Sequence, residues 1–292
     1  MTIKRITIIG LGLIGGSLGL ALKQAKGKEL EIIGYARKPE VAAEAVKRGA
    51  VDRTESQLTQ AVSDADIVVI ATPVTAIKDI LENISSHVSQ NAIVTDVGST
   101  KAQVMHWAKE YLPTATFIGG HPMTGKETSG LNDAEAGLFN GCIYCLTPAE
   151  NVSKEASQTI EEMIKLIGAN PLFVDIQKHD ELVAGISHLP LILSSALVSS
   201  LAQNPLWPEM SKLAASGYRD VTRLASGNPD LHRGICATNR QAIVEWINRY
   251  IESLKEYRDY VAEDDEKLRQ SFSEAQMIRQ KWLKTDGYRF SE

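Results

Sequence analysis

Cysteine is scarce, with three in 292 residues. An odd, small count excludes a disulfide framework as the basis of the fold. An excess of positive charge is also missing: the net charge is −5 and the pI about 5.8, which leaves no electrostatic footprint for nucleic acid. No run of about 18 apolar residues occurs, and the N-terminus passes almost directly into a strand pattern. A membrane-spanning helix and a secretory leader are therefore not expected, and a cytoplasmic location is. Cys142 and Cys145 form a C-x-x-C within CIYCLT, but positions three apart on a strand point to opposite faces and no second ligand pair follows. Core packing is expected for both, and for Cys236, with no metal.

What is present is a change of period. ITIIG at 6–10, EIIGY at 31–35, DIVVIA at 66–71, AIVTDV at 92–97, TFIGG at 116–120 and IYCLT at 143–147 read as short apolar strands. Amphipathic stretches such as IGGSLGLALKQA and AIKDILENIS lie between most of them. Apolar strands alternating with helices predict a mainly parallel sheet covered on both faces, with NPLFVDI at 170–176 as its last strand. From His179 onward the periodicity is helical, with Pro190 expected to kink or interrupt the apolar helix of 187–200. Ile243, Ile247, Ile251, Leu254, Tyr257, Val261, Leu268, Phe272, Ala275, Ile278 and Trp282 form one apolar stripe. The stripe predicts one long helical segment and a subunit interface, most simply that of a homodimer.

The first strand runs into Gly10-Leu11-Gly12-Leu13-Ile14-Gly15, a G-x-G-x-x-G that opens a helix pattern. In that context Gly10 serves the tight turn, Gly12 the approach of a pyrophosphate and Gly15 close helix packing, with Leu13 and Ile14 presenting helix N–H groups to the anion. Thr72 and Pro73, which follow the strand at 66–71, are placed beside the same cofactor. The second strand ends Tyr35-Ala36-Arg37-Lys38. Ala36 stands where an acid would bond the ribose of NAD, and Arg37 and Lys38 offer cations to a 2′-phosphate. NADP is favoured, although Arg37 stacked on adenine would leave NAD usable. The expected fold is α/β: a Rossmann-type, mainly parallel sheet in a dinucleotide-binding domain at 1–176, then an all-helical substrate-binding and dimerisation domain at 177–292.

GGHPMTG at 119–125 sets His121 between a glycine pair and a proline, punctuation that suits a side chain held at a fixed place on a loop. TDVGSTK at 95–101, GGHPMTGKETSG at 119–130, ISHLP at 186–190 and SGYRDVTR at 216–223, together with the N-terminal GLGLIGGS, resemble the prephenate/arogenate dehydrogenase family of tyrosine biosynthesis. The resemblance runs in order from the first strand to about residue 240.

This resemblance implies a dehydrogenase in which hydride leaves the hydroxyl-bearing carbon of a cyclohexadiene while that hydroxyl loses its proton. Carbon dioxide departs from the opposite carbon, and the ring becomes aromatic. It makes His121 the base, Ser99 the residue that orients His121 and touches the nicotinamide, His188 a substrate-binding histidine and Arg223 the clamp on a substrate carboxylate. Arg219, one helical turn before Arg223, is a second carboxylate candidate. Lys101 and Asp96 are left as helix-start or positioning groups. Asp180 is a candidate partner for the amino group of arogenate. Residues beyond about 282 are too few for an appended regulatory or mutase domain, so a stand-alone form is expected. Inhibition by tyrosine in the active site is the regulation left open to it. Two other readings stay open: an NADP-dependent dehydrogenase of the β-hydroxy acid type, and a non-enzymatic NADP-sensing regulator.

Overall fold

A computed structural model describes residues 3–150, 152–263 and 266–285. The strands are β1 (Arg5–Ile9), β2 (Glu31–Tyr35), β3 (Arg53–Thr54), β4 (Ile67–Ile70), β5 (Ile93–Asp96), β6 (Thr116–Pro122), β7 (Ile143–Pro148) and β8 (Asn170–Phe173). Between them run α1 (Leu13–Lys26), α2 (Pro39–Lys47), α3 (Leu58–Val62), α4 (Val74–Ile84), α5 (Ala102–Tyr111) and α6 (Lys154–Leu166). Then come α7 (Ile176–Val183), α8 (Leu189–Ala202), α9 (Trp207–Leu213), α10 (Ser216–Thr222) and α11 (Pro229–Thr238). The last two helices are α12 (Arg240–Glu263) and α13 (Glu266–Thr285).

The strands form one sheet in the order β3-β2-β1-β4-β5-β6-β7-β8. Every pairing is parallel except β6 with β7. That pair is joined by a loop with two short 3₁₀ turns rather than a crossover helix, so the chain can only return antiparallel. The unbroken apolar runs of the central strands are explained by two cores. Ile6, Ile8, Ile67 and Val69 pack on one face with α1 and α6, and Ile9, Val68 and Ile70 on the other with α4 and α5. The two-residue β3 carries no apolar signal, which is why the sequence pattern passes over it.

The chain forms two compact units, one ending at Arg240 and the next beginning at Gln241. Strands give way to helices between Phe173 and Ile176, but α7 to α11 belong to the first unit with the sheet. Pro190 does not end its helix. The chain stays helical from Ile176 to Ala202 through a π turn at Ala184–His188, immediately before the proline. The wider turn re-registers the hydrogen bonds that a proline would otherwise break. By length and composition this helix is apolar enough to cross a membrane. Its buried residues nonetheless include His179, Asp180 and His188, which are built into the site described below.

In the second unit the rings of Tyr257 and Phe272 lie 5.7 Å apart. Fifteen residues of straight helix would separate them by about 22 Å, so the stripe predicted on one long helix folds back as α12 against α13. Asp264 and Asp265 lie outside the described residues. Much of the stripe, including Ile251, Leu254, Val261, Phe272 and Ile278, is exposed.

Helix α1 packs closely over the chain after α2. A Cβ on Gly19 would stand 2.1 Å from the Ala50 carbonyl oxygen, and a backbone atom cannot swing aside as a side-chain end can. Gly19→Ala should therefore cost about 1–3 kcal/mol through overpacking. The expected readout is a lower denaturation midpoint with dinucleotide affinity of the folded protein retained. An unchanged midpoint would mean that α1 shifts freely.

Candidate active site

Chain order reverses between β1 and β4, so the loops that leave them diverge and open a crevice at the carboxyl end of the sheet. Gly10 turns there with φ of 98°, and its N–H donates to the Tyr35 carbonyl at 2.8 Å. A Cβ on Gly15 would lie 1.9 Å from the Gly10 oxygen, which makes that glycine a packing requirement. Gly12 differs: a Cβ there would meet nothing. The fold does not need glycine at that position, whereas a group drawn up to the backbone does. The start of α1 has no side-chain cap and no acid in its first turn, so its N–H groups remain available to an anion. Beside them the buried Thr72 hydroxyl has no hydrogen-bond partner. These features fit a dinucleotide pyrophosphate. Ala36 is half-buried just past β2, and Arg37 and Lys38 are exposed.

His121 is not on a loop, as its glycine and proline neighbours suggested. It lies in β6, paired with Cys145 of β7, and Pro122 closes the strand opposite Tyr144. The antiparallel ladder carries the strand further than the sequence pattern indicates, and a proline at a strand end removes little from it. The glycine pair answers to crowding. A Cβ on Gly119 would meet the Thr147 hydroxyl at 2.3 Å and the Lys101 stem at 3.0 Å, and one on Gly120 would meet the Asp96 carbonyl oxygen at 2.5 Å. Pairing with β5 ends at Ile118, and side chains take over beyond it. Gly120 N–H donates to Asp96 Oδ1 at 3.1 Å, and Lys101 Nζ donates to the Gly120 carbonyl at 2.7 Å and to Asp96 Oδ2. Lys101 and Asp96 are fully buried, so this pair clamps the residue preceding His121 in a dry environment.

A second set of contacts arrives from the helices. His121 Nδ1 lies 3.0 Å from His179 Nε2, and His179 Nδ1 lies 2.8 Å from Asp180 Oδ1. Asp180 also accepts the backbone N–H groups of Lys101 at 2.7 Å and Ala102 at 2.9 Å, capping α5. Its buried carboxylate already accepts from three protein donors, which gives Asp180 a structural role within the chain. Asn239 Nδ2 donates to the Asp180 carbonyl at 2.7 Å and lies 3.2 Å from His188 Nδ1. The carbonyl fixes the amide's orientation, so His188 accepts on Nδ1 and carries its proton on Nε2. That Nε2 is buried with no protein partner. A buried N–H donor left unsatisfied is what a ligand acceptor would complete.

Burial first, then the neighbouring His179, Lys101 and His188, pushes His121 well below the ordinary histidine value of 6.5. Burial lowers His188 to about 4, against the pull of Asp180. Both rings are therefore neutral at pH 7. Between 6.5 and about 4 the unfolded chain binds the proton that folded His188 refuses, so this group lowers stability as pH falls through that window.

The remaining sequence candidates separate. Ser99 is half-buried in the turn between β5 and α5, but among the described residues no hydrogen bond joins it to His121, whose Nδ1 is taken by His179. Arg223 is ion-paired with Glu127, in the loop after His121. A backbone hydrogen bond and then the guanidinium hold Glu127 below the usual carboxylate range. Arg219 is 79% exposed and pairs with its neighbour Asp220. Helix α10 ends at Thr222 and a 3₁₀ turn starts at Arg223, so the two arginines do not share one helical face. Cys145 is buried, while Cys142 and Cys236 are only partly so. Burial pushes the Cys142 thiol up to about 11 and raises the other two. His179 and Asn239, given no site role by the sequence, are the neighbours of His121 and His188 that it missed. The adjacent His-Asp pair at 179–180 was the one available signal.

The family model described as prephenate dehydrogenase, nucleotide-binding domain, matches residues 18–172, and that described as prephenate dehydrogenase, dimerization domain, matches 175–274. The chain is 37% identical over 266 residues to the prephenate dehydrogenase of Bacillus subtilis, covering 89% of this chain and 71% of that one. It is similar to the crystal structure of Synechocystis arogenate dehydrogenase, with TM-score 0.82, 31% identity and 95% and 99% of the two chains covered. It is similar also to prephenate dehydrogenase from Aquifex aeolicus in complex with hydroxyphenyl propionate and NAD+, with TM-score 0.89, 27% identity and 96% and 99% covered. With its nucleotide crevice, its buried histidines and these matches along nearly its whole length, the chain belongs to the prephenate dehydrogenase family and is an NAD(P)-dependent dehydrogenase.

Proposed function

We propose that this enzyme oxidatively decarboxylates prephenate, arogenate or both, giving 4-hydroxyphenylpyruvate or tyrosine, with His121 as the base. The observation that carries this reading is a buried, neutral His121 whose Nδ1 is engaged by His179, leaving Nε2 for the ring hydroxyl. The nicotinamide, when bound, supplies the hydride acceptor. His121 takes the hydroxyl proton on Nε2 as the carbon beneath it is oxidised, and the electrons of the broken bond to carbon dioxide complete the aromatic ring. His188 offers its unpartnered Nε2–H to a substrate oxygen. Arg223 binds a substrate carboxylate in exchange for Glu127, and Ser99 lies in the β5–α5 turn for contact with the nicotinamide. That the Aquifex relative is described with hydroxyphenyl propionate and NAD+ supports a phenolic acid lying beside the dinucleotide.

Steady-state kinetics separate the two main roles. His121→Asn should lower kcat by roughly 10²–10⁴ with dinucleotide binding unchanged, and should abolish the acid limb of the pH profile. In the unmodified enzyme that limb should lie below the ordinary histidine range, because burial keeps the base unprotonated as pH falls through 6.5. Arg223→Ala should instead raise the substrate KM by about 10–100-fold, the loss of a charge-assisted contact of about 1.5–3 kcal/mol, with the cofactor KM unmoved. Near-normal turnover without His121 would remove it from the mechanism.

The cofactor is inferred to be NADP in preference to NAD. Ala36 places no carboxylate beside a 2′-phosphate, and the exposed Arg37 and Lys38 present two cations to it. The expected result is a higher kcat/KM with NADP, reversed by Ala36→Asp together with Arg37→Ala. Preference for NAD in the unmodified enzyme would show that Arg37 stacks on adenine instead.

We also infer a homodimer through the helical region. The match to a dimerization-domain model at 175–274 and the exposed apolar positions of α12 and α13 support it. Sedimentation should give a dimer at micromolar concentration, and Ile278→Asp, at a position 71% exposed within its own chain, should weaken it. A monomeric unmodified protein would contradict this.

A further inference from the structure

His179 has no part in the reaction set out above, yet it is buried between two groups that do matter. The direction of each hydrogen bond can be followed from the inner end outward. Asp180 accepts the Lys101 and Ala102 N–H groups at 2.7 and 2.9 Å, so it acts there as an acceptor and His179 Nδ1 must donate to it. A neutral imidazole then has only a lone pair on Nε2. His121, 3.0 Å away, must donate to that lone pair through its own Nδ1. We propose that His179 and Asp180 are positioning residues that lock His121 in its Nδ1–H tautomer, aim Nε2 at the substrate as the base, and spread the positive charge while His121 holds the substrate's proton. The tautomer follows from the hydrogen-bond geometry with a single proton on His179; the identity of the proton's donor rests on the function proposed above.

The chain of bonds has no exit. Among the described residues, beyond Asp180 stand only the backbone N–H donors of Lys101 and Ala102, which cannot accept a proton, and His179 and Asp180 are 1% and 6% exposed. A closed store matches the proton balance of this reaction. Converting a cyclohexadienol carboxylate into a phenol, carbon dioxide and a transferred hydride releases no net proton. The proton taken from the hydroxyl goes back to the phenolate oxygen through the same Nε2. The groups that face His121 from the packed elements are His179 and Asp180 of α7, Lys101 with Asp96, His188 of the π turn and Cys145 of β7. None of these offers the proton a route to solvent that bypasses the substrate.

Long-range ¹H–¹⁵N correlation spectra of the full-length protein labelled at histidine read the tautomer without any turnover. His121, identified by the signal missing in His121→Asn, should carry its proton on Nδ1 at pH 7. In His179→Phe it should become a mixture of tautomers, with kcat down roughly 10²-fold and both KM values retained. His179→Gln, whose amide oxygen can accept from Nδ1, should restore the tautomer and most of kcat. A His121 protonated on Nε2, a doubly protonated His179 at pH 7, or a tautomer unmoved by His179→Phe would overturn the proposal. Should His179→Phe fail to fold, the unmodified spectrum and His179→Gln decide it. The expected tautomer in a protein that turns over neither prephenate nor arogenate would sink the reaction and leave the tautomer lock standing.

Discussion

The carboxylate of Asp180 is the contact on which the other parts of the site depend. Helix α5 starts at Ala102, the preceding Lys101 gives it no side-chain cap, and its first N–H groups would be orphaned in a buried setting. Asp180 supplies the cap from the helical region and, with the same oxygens, holds His179. One group thus joins the sheet, the nucleotide-side turn and the helix that carries two of the site's histidines. Any movement of α7 relative to α5 displaces His179 and, through it, His121. The folding of the first unit as one body through α11 is consistent with this tie.

A second buried pair acts on the other side of His121. Lys101 and Asp96 are both removed from water, an arrangement that costs several kcal/mol per ion unless each is fully hydrogen-bonded. Here the ammonium bonds Asp96 and the Gly120 carbonyl, while the carboxylate bonds Gly98 and Gly120 N–H. Side chains thus continue the sheet's hydrogen bonding where β5 ends, and the peptide leading into His121 is held at both its polar groups. Desolvation lowers Lys101, His121 and His188 together, so a dry site keeps those two imidazoles neutral.

The glycines divide by what demands them. Gly119 and Gly120 make room for protein atoms, and their requirement can be read from the fold. Gly12 faces open space, so no protein atom demands that it lack a side chain. The Thr72 hydroxyl and His188 Nε2 are buried without a hydrogen-bond partner among the described residues.

Sequence by itself determined the sheet strands longer than two residues, the glycine-rich loop after the first strand and the family. These signals are local: a run of apolar residues buried on both faces, glycines at fixed offsets after a strand, and short motifs in order. It misread the extent of β6, because the ladder that lengthens it comes from β7, and it took α12 and α13 for one helix, because the Tyr257–Phe272 contact closes only on folding. Tertiary structure alone decided the partners of His121. His179 reaches His121 across 58 residues, and Asp180 reaches α5 across 79, so neither spacing leaves a periodicity to detect. Arg223 and Arg219 look alike in SGYRDVTR, yet one meets Glu127 and the other only its neighbour. A hydrogen bond has a length and a direction, and both exist only after the chain has brought donor and acceptor together.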